Sequence, residues 1–428
     1  MNILLFLFAF AGGASFLPRF AHAGDEGVSS PFHHLFESVA GDVENTSAPV
    51  EVLGVGANAG IPSWLHATKM NNGFGKFEGE GFTLNYLFDV MAYVHKWRID
   101  GNSVSFSNKF IQSTYFQDSY RGIPAYRTFG GTTPPMTKVE RIETLAHLLS
   151  DNLNVNIQKF GERVIAISDM AGGMEISEAN LDTLGLIEFN DTISGRLSMI
   201  TCAHPSKLPD EPYWYNYYVD VFGNMPHFKQ PSKYNLYRID VRGGKELKRE
   251  VVMEIPIDSN GIVYMHSFAQ TSKYIIFFEF PLHWEIMNIV LSERILPDMK
   301  WMPKNGTRVR VISKESWKVV KEYTMKAFFA YHHINAFEKE DNIIVDISTV
   351  PCDYPGSSGP ASCDHMNAFN LDTLPNNTWQ IPPNSIWRIT VPVAAEKDAQ
   401  ITSRELTDAS FDLPMLNGEY RGKPYRFV

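Results

Sequence analysis

The chain has 428 residues, 44% hydrophobic and 20% charged, the balance of a folded globular protein with one large domain or a few ordinary ones. Its formal net charge of −10, with no basic block, excludes a nucleic-acid partner. Residues 1–23 read as an export signal: an apolar stretch over residues 3–10, then small residues, then the Ala21-His22-Ala23 cleavage pattern. Gly12, Gly13 and Pro18 interrupt the apolar run and Arg19 ends it, so it is too short to span a bilayer. Its first residues carry no Lys or Arg. Cleavage after Ala23 places the protein in the secretory pathway, in the ER lumen or outside the cell; a retained leader leaves it cytoplasmic. Four Asn-x-Ser/Thr sequons, at Asn45, Asn190, Asn305 and Asn376, fit the secretory route. Residues 24–54 read as an N-terminal extension ahead of one large domain over 55–428.

From residue 61 onward, short apolar-periodic runs alternate with Gly, Pro, Asn and Asp. Strands are predicted over 103–110, 154–160, 164–168, 213–222, 274–280, 308–313 and 342–348, each β-branched or aromatic and bounded by turn formers. The clearest helical pattern covers 137–153, with Val139, Ile142, Leu145, Leu148 and Leu149 on one face behind a Thr137 start. Residues 283–302 set Trp284, Met287, Val290 and Leu291 at helical spacing, followed by Trp301 and Met302. That segment reads as a core helix or as a monotopic membrane contact. Cys352 and Cys363 flank a turn-rich loop and can pair in an oxidising compartment, whereas Cys202 reads as a small buried side chain. Many short strands over such a length predict an all-β closed architecture: a propeller, a barrel or stacked sandwiches. No WD or kelch repeat selects among them.

Three histidines stand beside strand-like runs: His204 in "MITCAHPSKL", His266 in "VYMHSFAQTSKYIIFFEF", and His332 at the head of "HHINAFEKEDNIIVDIS". They are 62 and 66 residues apart, against about 40–50 residues for common blade repeats. In a propeller the innermost strand of each blade begins near the axis, so side chains from successive blades can converge. Imidazoles meeting there without a thiolate would suit Fe, Zn, Cu or Ni. The bland reading is that each is a surface or hydrogen-bonded core residue, since thirteen histidines in a chain of this length are ordinary.

"IPSWLHATKMNNGFGKFEG", "LNYLFDVMAYVHKWRIDGNSVSFSNKFIQS", "CAHPSK", "MHSFAQTSKYIIFFEFPL", "HHINAFE" and "RGKPYRFV" together resemble the carotenoid cleavage oxygenases. The likeness is to the animal branch of carotene oxygenases and the retinal-pigment-epithelium isomerohydrolase, and it runs in order from about residue 55 to the last. It implies a seven-bladed β-propeller with a helical cap, and a non-haem Fe(II) on the axis held by four histidines with carboxylates behind them. Carried over motif by motif, His204, His266 and His332 are implied metal ligands. In the His-x-x-Asn register His332 takes the metal, and His333 packs or hydrogen-bonds. Asp169 and Asp412 stand where the family usually has Glu, one methylene shorter. The family's Arg-Asn-Gly-Pro-Gly is here Asn71-Asn72-Gly73-Phe74-Gly75, and its Leu-Phe-Asp-Gly is Leu87-Phe88-Asp89-Val90, which implies altered turns.

No histidine follows His365, so the resemblance implies that the fourth ligand and the blade-closing strands are absent. The expectation is a propeller incomplete at its C-terminus: a truncated isoform, a partial gene model or a decayed copy. The implied activity is dioxygenase cleavage of a carotenoid or apocarotenoid double bond, with O2 as co-substrate and aldehydes as products. Two alternatives stay open: a non-catalytic carotenoid- or retinoid-binding relative, and a retinyl ester isomerohydrolase using the same iron as a Lewis acid.

Overall fold

A computed structural model describes residues 38–39, 41–49, 61–101, 103–121, 130–132, 150–170, 172–191, 193, 199–220, 233–257, 261–284, 294, 296–350, 352, 363, 369–371, 384–393, 399–407 and 410–428. All seven strands predicted above are present, as Ser103–Phe110, Asn156–Phe160, Arg163–Ile167, Tyr213–Asp220, Tyr274–Glu279, Thr307–Ser313 and Asn342–Val350. The leader at 1–23 lies outside the described residues, as does most of the helix expected over 137–153. Its described end, residues 150–153, is not helical. Among the described residues the α-helix is Thr114–Ser119, capped by Ser113, whose hydroxyl accepts the Phe116 N–H at 3.0 Å. No helix among them is long and apolar enough to cross a membrane.

The helix expected over 283–302 is corrected at both ends. Leu282–Trp284 and Lys300–Trp301 are strands that pair antiparallel, Leu282 opposite Trp301. Trp284 is only 2% exposed, packed against Tyr264 at 5.0 Å. The middle of the segment lies outside the described residues.

The sheets repeat chain order in space. Asn156–Phe160, Arg163–Ile167, Met174–Ile176 and Thr183–Leu186 form one four-stranded antiparallel sheet. Met199–Thr201, Tyr213–Asp220, Lys233–Asp240 and Lys248–Pro256 form the next. Ala269–Gln270, Tyr274–Glu279, Thr307–Ser313 and Lys318–Met325 form a third, and Phe329–Lys339, Asn342–Val350, Ser385–Pro392 and Thr402–Thr407 a fourth. Up-and-down meanders in series are the blades of a β-propeller.

Burial follows position in the blade. Asn342–Val350, the second strand of its sheet, is buried along nearly its whole length, while Lys318–Met325, the last strand of the preceding sheet, alternates exposed and half-buried. Continuous apolar runs such as "YIIFFE" therefore lie between neighbouring blades and need no polar face. Phe277 and Phe278 are fully buried there, each worth roughly 1.5–3 kcal/mol of transfer free energy. Contacts also cross from blade to blade: the strand Ala269–Gln270 packs against Phe329–Lys339. That packing brings the first strands of two sheets together, and histidines are carried at both.

Candidate metal centre

Each of the three histidines sits at the first strand of a sheet. His204 follows Met199–Thr201, His266 precedes Ala269–Gln270, and His332 lies within Phe329–Lys339. The structure brings them together: one ligand nitrogen from each lies within 4.8 Å of the others. His204 Nε2 and His266 Nε2 are 3.0 Å apart, and the ring centroids are separated by 4.6, 4.8 and 5.1 Å.

Two aspartates stand behind two of the rings. Asp169 Oδ2 lies 2.7 Å from His266 Nδ1, and Asp412 Oδ1 lies 2.7 Å from His332 Nδ1. An imidazole that donates from Nδ1 carries its lone pair on Nε2, so His266 and His332 present lone pairs inward. Burial first, then the nearby His266, His332 and Arg421, holds the His204 imidazole well below its ordinary pKa. Burial pushes the Asp412 carboxyl up, but His332 and the Leu413 N–H outweigh it and hold the group below the usual carboxylate range. Three imidazoles from successive sheets thus converge on one point, two of them with an Nδ1–H held by a carboxylate, as metal-ligating histidines are. With no thiolate in the set, this donor chemistry fits ferrous iron.

Both carboxylates are themselves held. Asp169 Oδ1 accepts the Ala203 N–H at 3.0 Å and Oδ2 accepts the Tyr264 hydroxyl at 2.7 Å. Asp412 Oδ1 accepts the Leu413 N–H at 2.8 Å and Oδ2 accepts Asn384 Nδ2 at 3.0 Å. Leu413, next to that carboxylate, adopts a left-handed φ of 55°.

His333 points elsewhere. Its Nδ1 lies 2.7 Å from Ser267 Oγ and its ring 5.1 Å from Phe278, with burial lowering its pKa to about 3. Asn335 clamps the C-terminal segment: Nδ2 donates to the Tyr420 and Lys423 carbonyls, and Oδ1 accepts the Gly422 N–H, each at 3.0 Å. The segment held in this way carries Asp412.

A family model described as retinal pigment epithelial membrane protein matches residues 38–428. The chain belongs to the carotenoid cleavage oxygenase family. Curated relatives of this family member include the chloroplastic carotenoid cleavage dioxygenase 8 of Arabidopsis thaliana, 26% identical over 86% of this chain and 65% of that protein. The carotenoid isomerooxygenase of Galleria mellonella is 26% identical over 86% of this chain and 72% of its own length. Mouse β,β-carotene 15,15′-dioxygenase is 22% identical over 90% and 73%. The chain thus spans about two thirds to three quarters of the length of these relatives. A mutant of the Synechocystis apocarotenoid oxygenase superposes with a TM-score of 0.72 at 22% identity, over 93% of this chain and 77% of the other. The cobalt-substituted form of that oxygenase gives the same TM-score. The fold is thereby that of the seven-bladed propeller.

Sequence reasoning missed several residues of this site. Tyr264 and Asn384, which grip the aspartates, lie 95 and 28 residues from their partners, so no local spacing announces them. Asp89 of the altered Leu-Phe-Asp-Val run is another. It is 1% exposed and accepts the Gly130 N–H at 2.7 Å and the Thr132 N–H at 2.8 Å, pinning that loop. Burial outweighs these donors and raises its pKa to about 6.

Proposed function

We propose that this chain is a non-haem iron(II) dioxygenase that cleaves a carbon–carbon double bond of a carotenoid or apocarotenoid to aldehyde products. The observation that carries the reading is the convergence of His204, His266 and His332, two of them backed by aspartates, in a carotenoid oxygenase fold. The three imidazoles would hold the ferrous ion through their inward nitrogens, and it would supply activation of dioxygen for oxidative scission. Asp169 and Asp412 keep the Nδ1 protons in place and fix the ring planes.

Tyr331 presents its ring edge-on to His266, with centroids 5.4 Å apart, and Phe329 and Phe369 pack against Tyr331 at 4.9 and 6.4 Å. Such aromatic walls suit an apolar polyene and exclude water from the reacting bond. The test is purified protein loaded with Fe(II) and given O2 and β-carotene or an apocarotenal in detergent. Aldehyde products identified by mass spectrometry are expected, and they should disappear in His332→Ala. A protein that binds iron and carotenoid yet yields no aldehyde would be a binding relative, and the enzyme reading would fail.

A further inference from the structure

The two aspartates behind the histidines are held by the same three-part arrangement. Each accepts one imidazole N–H, one backbone N–H from a neighbour in the chain or in space, and one side-chain donor from a distant element. For Asp169 these are His266, Ala203 and Tyr264; for Asp412 they are His332, Leu413 and Asn384. A carboxylate on a short aspartate stem has fewer torsions than a glutamate but a shorter reach. Its orientation toward the ring therefore depends on what pulls on its other lone pairs.

We infer that Tyr264 and Asn384 are positioning residues, which set the aspartates and through them hold His266 and His332 in the orientation that binds metal. The inference rests on the iron reading above.

Tyr264 is built for this. Its N–H donates to the Leu282 carbonyl at 3.0 Å, which fixes its backbone beside the strand Leu282–Trp284. Its ring is 4% exposed and lies against Trp284, Phe329 and Tyr331, with centroids 5.0, 6.0 and 6.3 Å away. The hydroxyl has therefore little freedom, and it meets Asp169 Oδ2 at 2.7 Å and His266 Nδ1 at 3.2 Å. Both donors share one carboxylate oxygen, so the hydroxyl shifts negative charge away from the imidazole and restrains the carboxylate plane at once. Asn384 does the equivalent for Asp412 and is steadied by Ser348, whose Oγ accepts its Nδ2 at 3.2 Å.

Tyr264→Phe removes the hydroxyl and keeps the ring, so packing of the aromatic cluster is preserved. Chelator-competition titration of apo-protein with Fe(II), and separately with Co(II), reads the affinity directly. About a tenfold loss is expected in Tyr264→Phe, the low end of what outer partners of metal ligands contribute. The Co(II) absorption bands should also change in position or intensity, which a merely structural role would not produce. The decisive comparison is a double-mutant cycle. Tyr264→Phe should lose most of its effect in an Asp169→Ala background and keep it in an Asp412→Ala background; Asn384→Ala should show the reverse. Should either alanine variant fail to fold, the Co(II) spectrum of Tyr264→Phe against wild type still decides. Unchanged affinity and spectrum, or equal effects in both backgrounds, would overturn the inference alone. Wild-type protein that binds neither Fe(II) nor Co(II) would overturn both it and the iron reading.

Discussion

At the scale of single residues, the adjacent His332 and His333 should behave oppositely. His332 faces His204 and His266, so His332→Ala should abolish iron binding as measured by metal analysis of the purified protein. His333 bonds Ser267 instead, so His333→Ala should keep the iron; Ser267 Oγ retains the Tyr331 carbonyl and the His333 N–H, and the cost of roughly 0.5–3 kcal/mol is the space left by the ring beside Phe278. Equal iron loss in both would reject the assignment. Asp89 gives a pH test. Its folded pKa of about 6 lies above the ordinary value of 3.8, so the folded state holds the proton more tightly. That contribution is full below about pH 4 and is lost as pH rises through 6, on the order of 3 kcal/mol across the window. His95 acts in the opposite sense: burial lowers its pKa to about 4, so its contribution is present above 6.5 and lost as pH falls through 4. Comparing Asp89→Asn with wild type cancels the histidine. The variant, whose amide meets a loop N–H donor to donor, should be less stable throughout, with a deficit largest near pH 4 and shrinking toward pH 7. A deficit in the denaturation midpoint that grows with pH would contradict the assignment. The histidines and their aspartates were legible in the sequence because each sits in a compact run such as Ala-His-Pro or His-x-x-Asn. Tyr264, Asn384 and Asp89 were not, because their partners come from other strands and loops, and only the fold supplies those contacts.

At the scale of elements, strands were legible where both faces are buried or where apolar and polar residues alternate, as in Tyr274–Glu279 and Lys318–Met325. The misreading at the two ends of 283–302 has a physical cause. Trp284 and Trp301 belong to two short strands of three and two residues, too brief for period-two alternation to outweigh an accidental helical spacing. Turns carry their own constraint. Gly161 joins Asn156–Phe160 to Arg163–Ile167 at a φ of 59°, and a Cβ there would lie 2.3 Å from the Gly244 carbonyl oxygen. Gly161→Ala should therefore cost more than about 2 kcal/mol, since left-handed strain of about 1–2 kcal/mol adds to a clash with backbone. Gly73→Ala, whose Cβ would find its nearest neighbour at an ordinary 3.6 Å, serves as control and should shift the urea midpoint far less. The Asn335 clamp links an element to the site. Asn335→Ala frees the Tyr420 and Lys423 carbonyls and the Gly422 N–H, so the segment bearing Asp412 should loosen. Faster proteolysis within residues 410–428 and weaker iron binding are expected together; weaker binding without faster cleavage would place the role of Asn335 elsewhere.

At the scale of the whole molecule, blades in series explain how residues 62 and 66 apart meet at one point: each meander returns the chain to the axis before the next begins. A disulfide joins Cys352 to Cys363. Cys352 lies just beyond Asn342–Val350, the strand that pairs directly with the one carrying His332. A cross-link over a sequence separation of 11 residues stabilises by about 3 kcal/mol in the chain-entropy account, provided the compartment is oxidising. The Ala21-His22-Ala23 pattern and the sequon at Asn305, which lies exposed in the turn Pro303–Asn305, fit the same compartment. Expression with the native leader in a eukaryotic secretory host should therefore yield a product starting at Gly24, with Cys352 and Cys363 oxidised and Cys202 as the free thiol, buried in the core. Reduction should lower its melting temperature, and mild alkylation of the native protein should leave Cys202 unmodified. N-terminal sequencing that finds Met1 retained, on a product whose Cys352 and Cys363 both alkylate without reduction, would place this protein in the cytoplasm and leave the disulfide without a role.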